Sequence, residues 1–162
     1  SDKCKKLVLF SRGLTLVLSD DVNLKILLAT ELASKYGRRV LLETIPTHNN
    51  QILCASYDWW TKKSCLVKSP EQIIIPLLPI PDIQEPINGI NVSHYKKHAK
   101  DWFREFLLPE AIEKLEKSVS PLRRNSGKLI ILDGRANKRG WGRSMIKSIE
   151  PSKQIDYMLP FD

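Results

Sequence analysis

Leu108–Arg135 reads LPEAIEKLEKSVSPLRRNSGKLIILDGR, and the fold turns on its tail. There, Leu129-Ile130-Ile131-Leu132 run together with no polar residue between them, bounded by Asn125-Ser126-Gly127 and by Asp133. A strand with one wet face alternates polar and apolar residues. An unbroken apolar run suits a strand covered on both faces, as in a parallel sheet with helices on each side. Lys128–Asp133 is therefore expected to be a buried strand. Before it comes a helix opened by Pro109, with Glu110 favourable in the first turn. The charges at its ends, Arg123, Arg124 and Asp133, either handle a phosphate or are ordinary surface charge around a buried strand.

Upstream, the same alternation of strand and helix repeats. Leu14–Ser19, LTLVLS, reads as a strand, and Asp20 or Asp21 can cap the helix that follows. Val22–Tyr36 places Leu24, Leu27, Leu28 and Leu32 at helical spacing and stops at Gly37. Strands are expected at Arg38–Glu43 and Ile52–Ser56, joined by a turn-rich loop, and a further buried run at Glu71–Pro81 should end or bend near Ile75 because Pro76 has no N–H. The order predicts a doubly wound α/β sheet with ligands beyond the carboxyl ends of its strands. Trp59 and Trp60 fall after such a strand and before Lys62 and Lys63. An aromatic pair beside cations suits base stacking and phosphate contact, while the structural reading makes at least one of the two a core anchor.

Asn91–Leu107 reads as another helix, with Ser93 as its cap and Trp102, Phe103 and Phe106 on its apolar side. His94 and His98 lie one turn apart, but no third ligand accompanies them and no metal is expected. Lys96, Lys97 and Lys100 make a solvated face or a phosphate contact. After Asp133 comes GRANKRGWGR, where Lys138, Arg139 and Arg143 surround Trp141 between glycines. This segment is either a nucleic-acid-binding patch or a mobile basic loop leading into a helix at Ser144–Ile149.

Composition bounds the function. At 162 residues the chain can bury a core without staples, and its formal net charge of +8 favours polyanions, nucleic acid first. The three cysteines, Cys4, Cys54 and Cys65, form no C-x-x-C pair, the usage of a reduced cytoplasmic protein. No apolar run is long enough to span a membrane, and no partner membrane is expected. There is no G-x-x-x-x-G-K-[ST] phosphate loop and no G-x-S-x-G elbow, so the chain alone is expected to be catalytically silent.

LPEAIEKLEKSVSPLRR followed by LIILDGR resembles the end of the second motor domain of DinG/XPD-type DNA helicases. There a Pro-Glu-Ala helix runs into Q-x-x-G-R-x-x-R, and a strand ending in Leu-Asp-x-Arg follows. Laid on this chain without gaps, the Gln falls at Lys117, the Gly at Ser120, the first Arg at Pro121 and the last at Arg124. The family's T-x-S-F-W-E-G-V-D segment is similar to Ser56–Lys62, with Trp59 and Trp60 in place of Phe and Trp, Thr61 at the acidic position and Lys62 at the glycine. Leu78-Pro79-Ile80 is similar to its Leu-Pro-Phe turn.

The resemblance runs over residues 13–160 and implies one RecA-like domain of P-loop NTPase type at 13–162, after a junction at 1–12 from an upstream domain. It implies a C-terminal helicase domain that binds single-stranded or duplex DNA and supplies half of an interdomain ATP site. Arg124 is its retained catalytic arginine. ATP and Mg2+ would enter only through the upstream motor domain of the same chain. Because Pro121 cannot replace a guanidinium, the alternative is a catalytically inactive pseudo-helicase domain acting as a protein-interaction or DNA-binding scaffold. A small α/β enzyme for an anionic metabolite ranks below both, for lack of a glycine-rich strand-to-helix turn.

Overall fold

A computed structural model describes residues 13–80, 92–124 and 126–149. Its strands are β1 (Thr15–Leu18), β2 (Val40–Leu42), β3 (Ile52–Ala55), β4 (Gln72–Ile75) and β5 (Lys128–Ile131). All neighbours pair in parallel, in the order β2-β3-β1-β4-β5. The sequence accounts for this order. The runs of β1, β3 and β4 have no polar alternation and are buried residue by residue in the middle of the sheet, whereas β2 and β5 are partly exposed at its edges. The expected buried strand at β5 is thus the outer strand, covered incompletely.

Helix α1 (Val22–Tyr36) covers one face, where Leu28, Ala29 and Leu32 meet Val17, Ile52, Cys54 and Ile74. The Asp21 carboxylate accepts from the Leu24 N–H at 3.0 Å to cap it, and Gly37, at φ +60°, ends it in a conformation that disfavours side chains. The other face carries α2 (Tyr57–Lys63), α4 (Leu108–Val119) and α6 (Gly140–Ser148), which enclose Leu16, Leu53, Ile73, Trp60, Leu115 and Met145. Helices on both faces of an all-parallel sheet give the α/β, RecA-like arrangement that the sequence predicts.

Two expectations about the long helical region need correction. Helix α3 begins at Val92, so Ser93 lies inside it rather than capping it. Nor does Pro109 open a separate helix. Helix α3 (Val92–Trp102) continues through a π-helical segment, Phe103–Leu107, straight into α4. The proline ring has no N–H to give and would collide with the carbonyl four residues back, so the helix widens just before it. The Leu108 N–H accordingly bonds five residues back, to the Phe103 carbonyl. Trp102 and Phe106 are exposed, not packed; Phe103 alone of the three aromatics joins the core cluster.

The segment after β5 is also helical. Arg135–Lys138 forms one turn, α5, and Gly140 begins α6 four residues before the expected Ser144 start. Gly142 permits this packing, because a Cβ there would stand 2.3 Å from the Ala136 carbonyl oxygen. The glycine serves contact between two helices.

Candidate nucleic-acid interface

The parallel sheet sets two rims. At the carboxyl rim, β1 ends in Ser19-Asp20, β3 in Ser56-Tyr57, β4 in Pro76-Leu77-Leu78 and β5 in Leu132-Asp133. The chain leaves β1 and β4 toward opposite faces, which makes the gap between them the expected ligand position. That gap is filled from within. Tyr57, fully buried, donates from its hydroxyl to the Leu77 carbonyl at 3.0 Å, and its N–H reaches the Asp20 carboxylate at 3.1 Å. Burial first, then the charges of Asp20 and Asp133, push the Tyr57 pKa well above its ordinary value. Lys114 closes the outer side, with Asp20 at 3.4 Å and Asp58 at 3.6 Å.

Beyond β4 and β5 the described residues leave the rim open, and one clasp shapes it. Asp133, 7% exposed, accepts from the Leu78 N–H at 2.9 Å, the Arg135 N–H at 3.0 Å and the Arg135 guanidinium at 2.9 Å. Arg135 also donates to the Ile80 carbonyl at 2.9 Å. Burial is the largest single influence on the Asp133 carboxyl and acts upward. The Arg135 side chain and the two backbone N–H groups together outweigh it, and the pKa lies below the ordinary carboxylate range. The clasp thus fixes a charged pair that spans the ends of both strands.

Over this clasp lies a cavity of about 640 Å³, lined among others by Lys100, Phe103, Arg104, Arg135, Arg139 and Trp141. The Arg135 guanidinium stands over the Trp141 ring at 5.4 Å, and the Phe103 ring lies 6.3 Å from it, inclined by 55°. Lys100, Arg104 and Arg139 form no ion pair among the described residues. Cations that no carboxylate among the described residues neutralises, beside aromatic faces, make a surface suited to a polyanion carrying flat rings.

The residues expected from sequence fall in different places. Arg139 and Trp141 line the cavity, while Lys138 and Arg143 are exposed on the adjoining turn and helix. Trp59 is half-buried in the first turn of α2, which Ser56 caps by accepting the Trp59 N–H at 3.2 Å, and Lys62 and Lys63 are exposed at that helix's far end. Trp60 is 0% exposed and donates from Nε1 to the Ser118 carbonyl at 2.8 Å. No face of its ring is available to a base, and it is the core anchor of the pair. Phe103 and Arg104 were not among the expected site residues, and Lys100 was expected as part of a solvated face or as a phosphate contact. Their signal was spacing, since positions i, i+3 and i+4 of a helix share one side.

Arg124 lies at the opposite, amino rim. The 3-10 turn Ser120–Arg124 leads to Gly127, whose backbone is packed against Pro70 and Glu71 just before β4. Arg124 is exposed, Arg123 donates to the Ile149 carbonyl, and Pro121 is buried. Pro121 lacks the N–H that a 3-10 turn would direct to the Ser118 carbonyl, and the Trp60 indole supplies a donor there instead. Among the described residues no group of three or more His, Cys, Asp and Glu is placed to hold a metal ion, and no helix is long and apolar enough to cross a membrane.

The chain is similar to three curated proteins. It is 27% identical over 146 residues to the ATP-dependent DNA helicase YoaA of Haemophilus influenzae, covering 88% of this chain and 22% of that protein. It is 26% identical over 121 residues to the 3'-5' exonuclease DinG of Bacillus subtilis, covering 73% of this chain and 13% of that protein. To YoaA of Escherichia coli it is 25% identical over 124 residues, 75% of this chain and 20% of the helicase. The chain therefore spans about a fifth or less of the curated relatives it matches, in their C-terminal part. No family model and no solved structure matches it. The relatives support a divergent DinG-like helicase domain, in agreement with the motif resemblance.

Proposed function

We propose that this DinG-like domain contributes DNA binding to an ATP-dependent helicase, through the carboxyl rim beside β5. The observation that carries the reading is the cavity in which Lys100, Arg104 and Arg139 stand without acidic partners among the described residues, around Trp141. The names of the relatives supply DNA as the polymer. Binding should weaken linearly in log–log form with salt, by about 0.7 for each single-strand phosphate neutralised. Replacing Lys138, Arg139 and Arg143 together by Ala should lower that slope by about 2. Binding and slope unchanged in the triple variant would sink the assignment of this rim.

The second half of the reading is an ATP site shared with an upstream motor domain in the cytoplasm, with Arg124 as the arginine offered across the cleft. DNA-stimulated ATP hydrolysis by the longer protein, lost on Arg124→Ala, would establish it. A specific observation favours the competing pseudo-helicase reading: Pro121, where the resemblance expects the other arginine, is buried. Well-folded longer protein that binds DNA but does not hydrolyse ATP would decide for the scaffold.

A further inference from the structure

The cavity beside β5 has a form more specific than a basic patch. Trp141 comes from the first turn of α6, and Phe103 from the π-helical segment before Pro109. Their planes meet at 55° with centroids 6.3 Å apart, too inclined for the rings to stack on one another, and both contribute to the cavity wall. A base held between two parallel rings needs about 7–8 Å between them, twice an optimal carbon–carbon contact. Opening the pair that far requires Phe103 to turn through about the 55° that now separates the two planes. The π-helical segment that carries Phe103 has a wider, less regular hydrogen-bond ladder than the α-helix on either side, and such segments recur at functional sites.

The charges are placed for a sugar-phosphate chain passing the rings. Lys100 and Arg104, one helical turn apart, stand on the Phe103 side, and Arg139 on the Trp141 side. Arg135, already committed to Asp133 and the Ile80 carbonyl, holds the indole from over its ring rather than serving the ligand. A volume of about 640 Å³ is that of a small-ligand site, enough for one nucleotide.

We propose that this cavity takes a single unstacked nucleotide of single-stranded DNA, its base between Phe103 and Trp141 and its flanking phosphates at Lys100, Arg104 and Arg139. The inference rests on the DNA-binding reading above and adds a base-dependent grip to it. Such a grip is blind to sequence, because every base has a flat face, and it distinguishes a strand with bases from a bare sugar-phosphate chain.

The test compares a labelled oligothymidylate of about 15 nucleotides with an abasic strand of the same length, by fluorescence anisotropy on the 162-residue chain. Wild type should prefer the strand with bases by about tenfold. Trp141→Leu and Phe103→Leu, which keep apolar bulk and are checked for folding by circular dichroism, should lose the preference while still binding the abasic strand. Trp141→Phe should restore part of it. Equal binding of both strands by wild type, or an undiminished preference in both leucine variants, would overturn the clamp and leave DNA binding standing. Binding of neither strand would remove the clamp together with the DNA-binding reading. Displacement of the oligonucleotide by thymidine monophosphate at equal nucleotide concentration would show a free-nucleotide site instead and likewise overturn the proposal.

Discussion

The two rims of the sheet have been built to different ends. At the carboxyl rim beside β5, a buried carboxylate, two backbone N–H groups and a guanidinium hold an open, cation-lined cavity in place. At the amino rim, where the helicase resemblance expects two arginines at Pro121 and Arg124, one position is buried proline and its neighbour Arg123 is tied to a backbone carbonyl. The contrast teaches that a degraded motif need not leave a loose structure. Pro121 is buried, and the Ser118 carbonyl that an N–H at position 121 would have reached is taken by the Trp60 indole.

The sharpest way to break this contrast is to restore the missing arginine. Pro121→Arg places a cation in a buried position with no carboxylate partner among the described contacts, and should cost about 4 kcal/mol by urea denaturation. A variant as stable as wild type would mean that the amino rim can still accept its arginine. Next in size, Asp133→Ala removes the acceptor of the Leu78 and Arg135 N–H groups and the carboxylate partner of the Arg135 guanidinium. A loss of about 3 kcal/mol is expected, with weakened DNA binding as the cavity floor loosens. Gly142→Ala drives a methyl group into the Ala136 backbone and should cost about 2 kcal/mol, read from the same denaturation midpoint.

Acid should act on the carboxyl rim through the same clasp. The folded pKa of Asp133 is below its unfolded value, so its contribution is complete above the ordinary carboxylate value and is lost as pH falls through the folded one. Glu43 behaves alike, held low first by Lys25 at 2.8 Å and further by Ser56 against the upward pull of burial. Denaturation midpoints should therefore fall below about pH 4, and less steeply in Asp133→Asn. The smallest effect is expected at Arg124, where an exposed side chain replaced by Ala should move stability by less than about 0.5 kcal/mol. A larger shift would show that the amino rim is held by both of its arginines.

Much of the architecture was legible because burial leaves its mark on runs of residues. Helix α1 follows from the spacing of Leu24, Leu28 and Leu32 between Asp21 and Gly37, and the strands from apolar stretches without alternation. What was misread hinged on residues with two meanings. Pro109 suits a helix start and also a widened turn inside one, and only the continuity of the backbone separates them. Gly142 suits a loop near phosphate and also a helix crowded against Ala136. The candidate site was legible in half. Trp141 and Arg139 stand out beside glycine, whereas Phe103 and Arg104 line the same cavity from a helical segment distant in the sequence, a relation that no local pattern contains. Trp59 and Trp60 are adjacent and chemically equal in the sequence, yet rotation by one helical position buries the second entirely.

The short strand β2, outermost among the described residues, has a bearing on the life of the chain among its own copies. An open strand edge invites a neighbour to pair with it, and proteins guard such edges by brevity, charge and distortion. β2 has three residues, Arg38 and Arg39 at its entrance, and Glu43 at φ 45° immediately beyond its end. The turn at Glu43 removes the next rung of any ladder, and two like charges repel the corresponding end of a second molecule. A strand too short to hold much of the core is, for the same reason, too short to recruit a neighbour's.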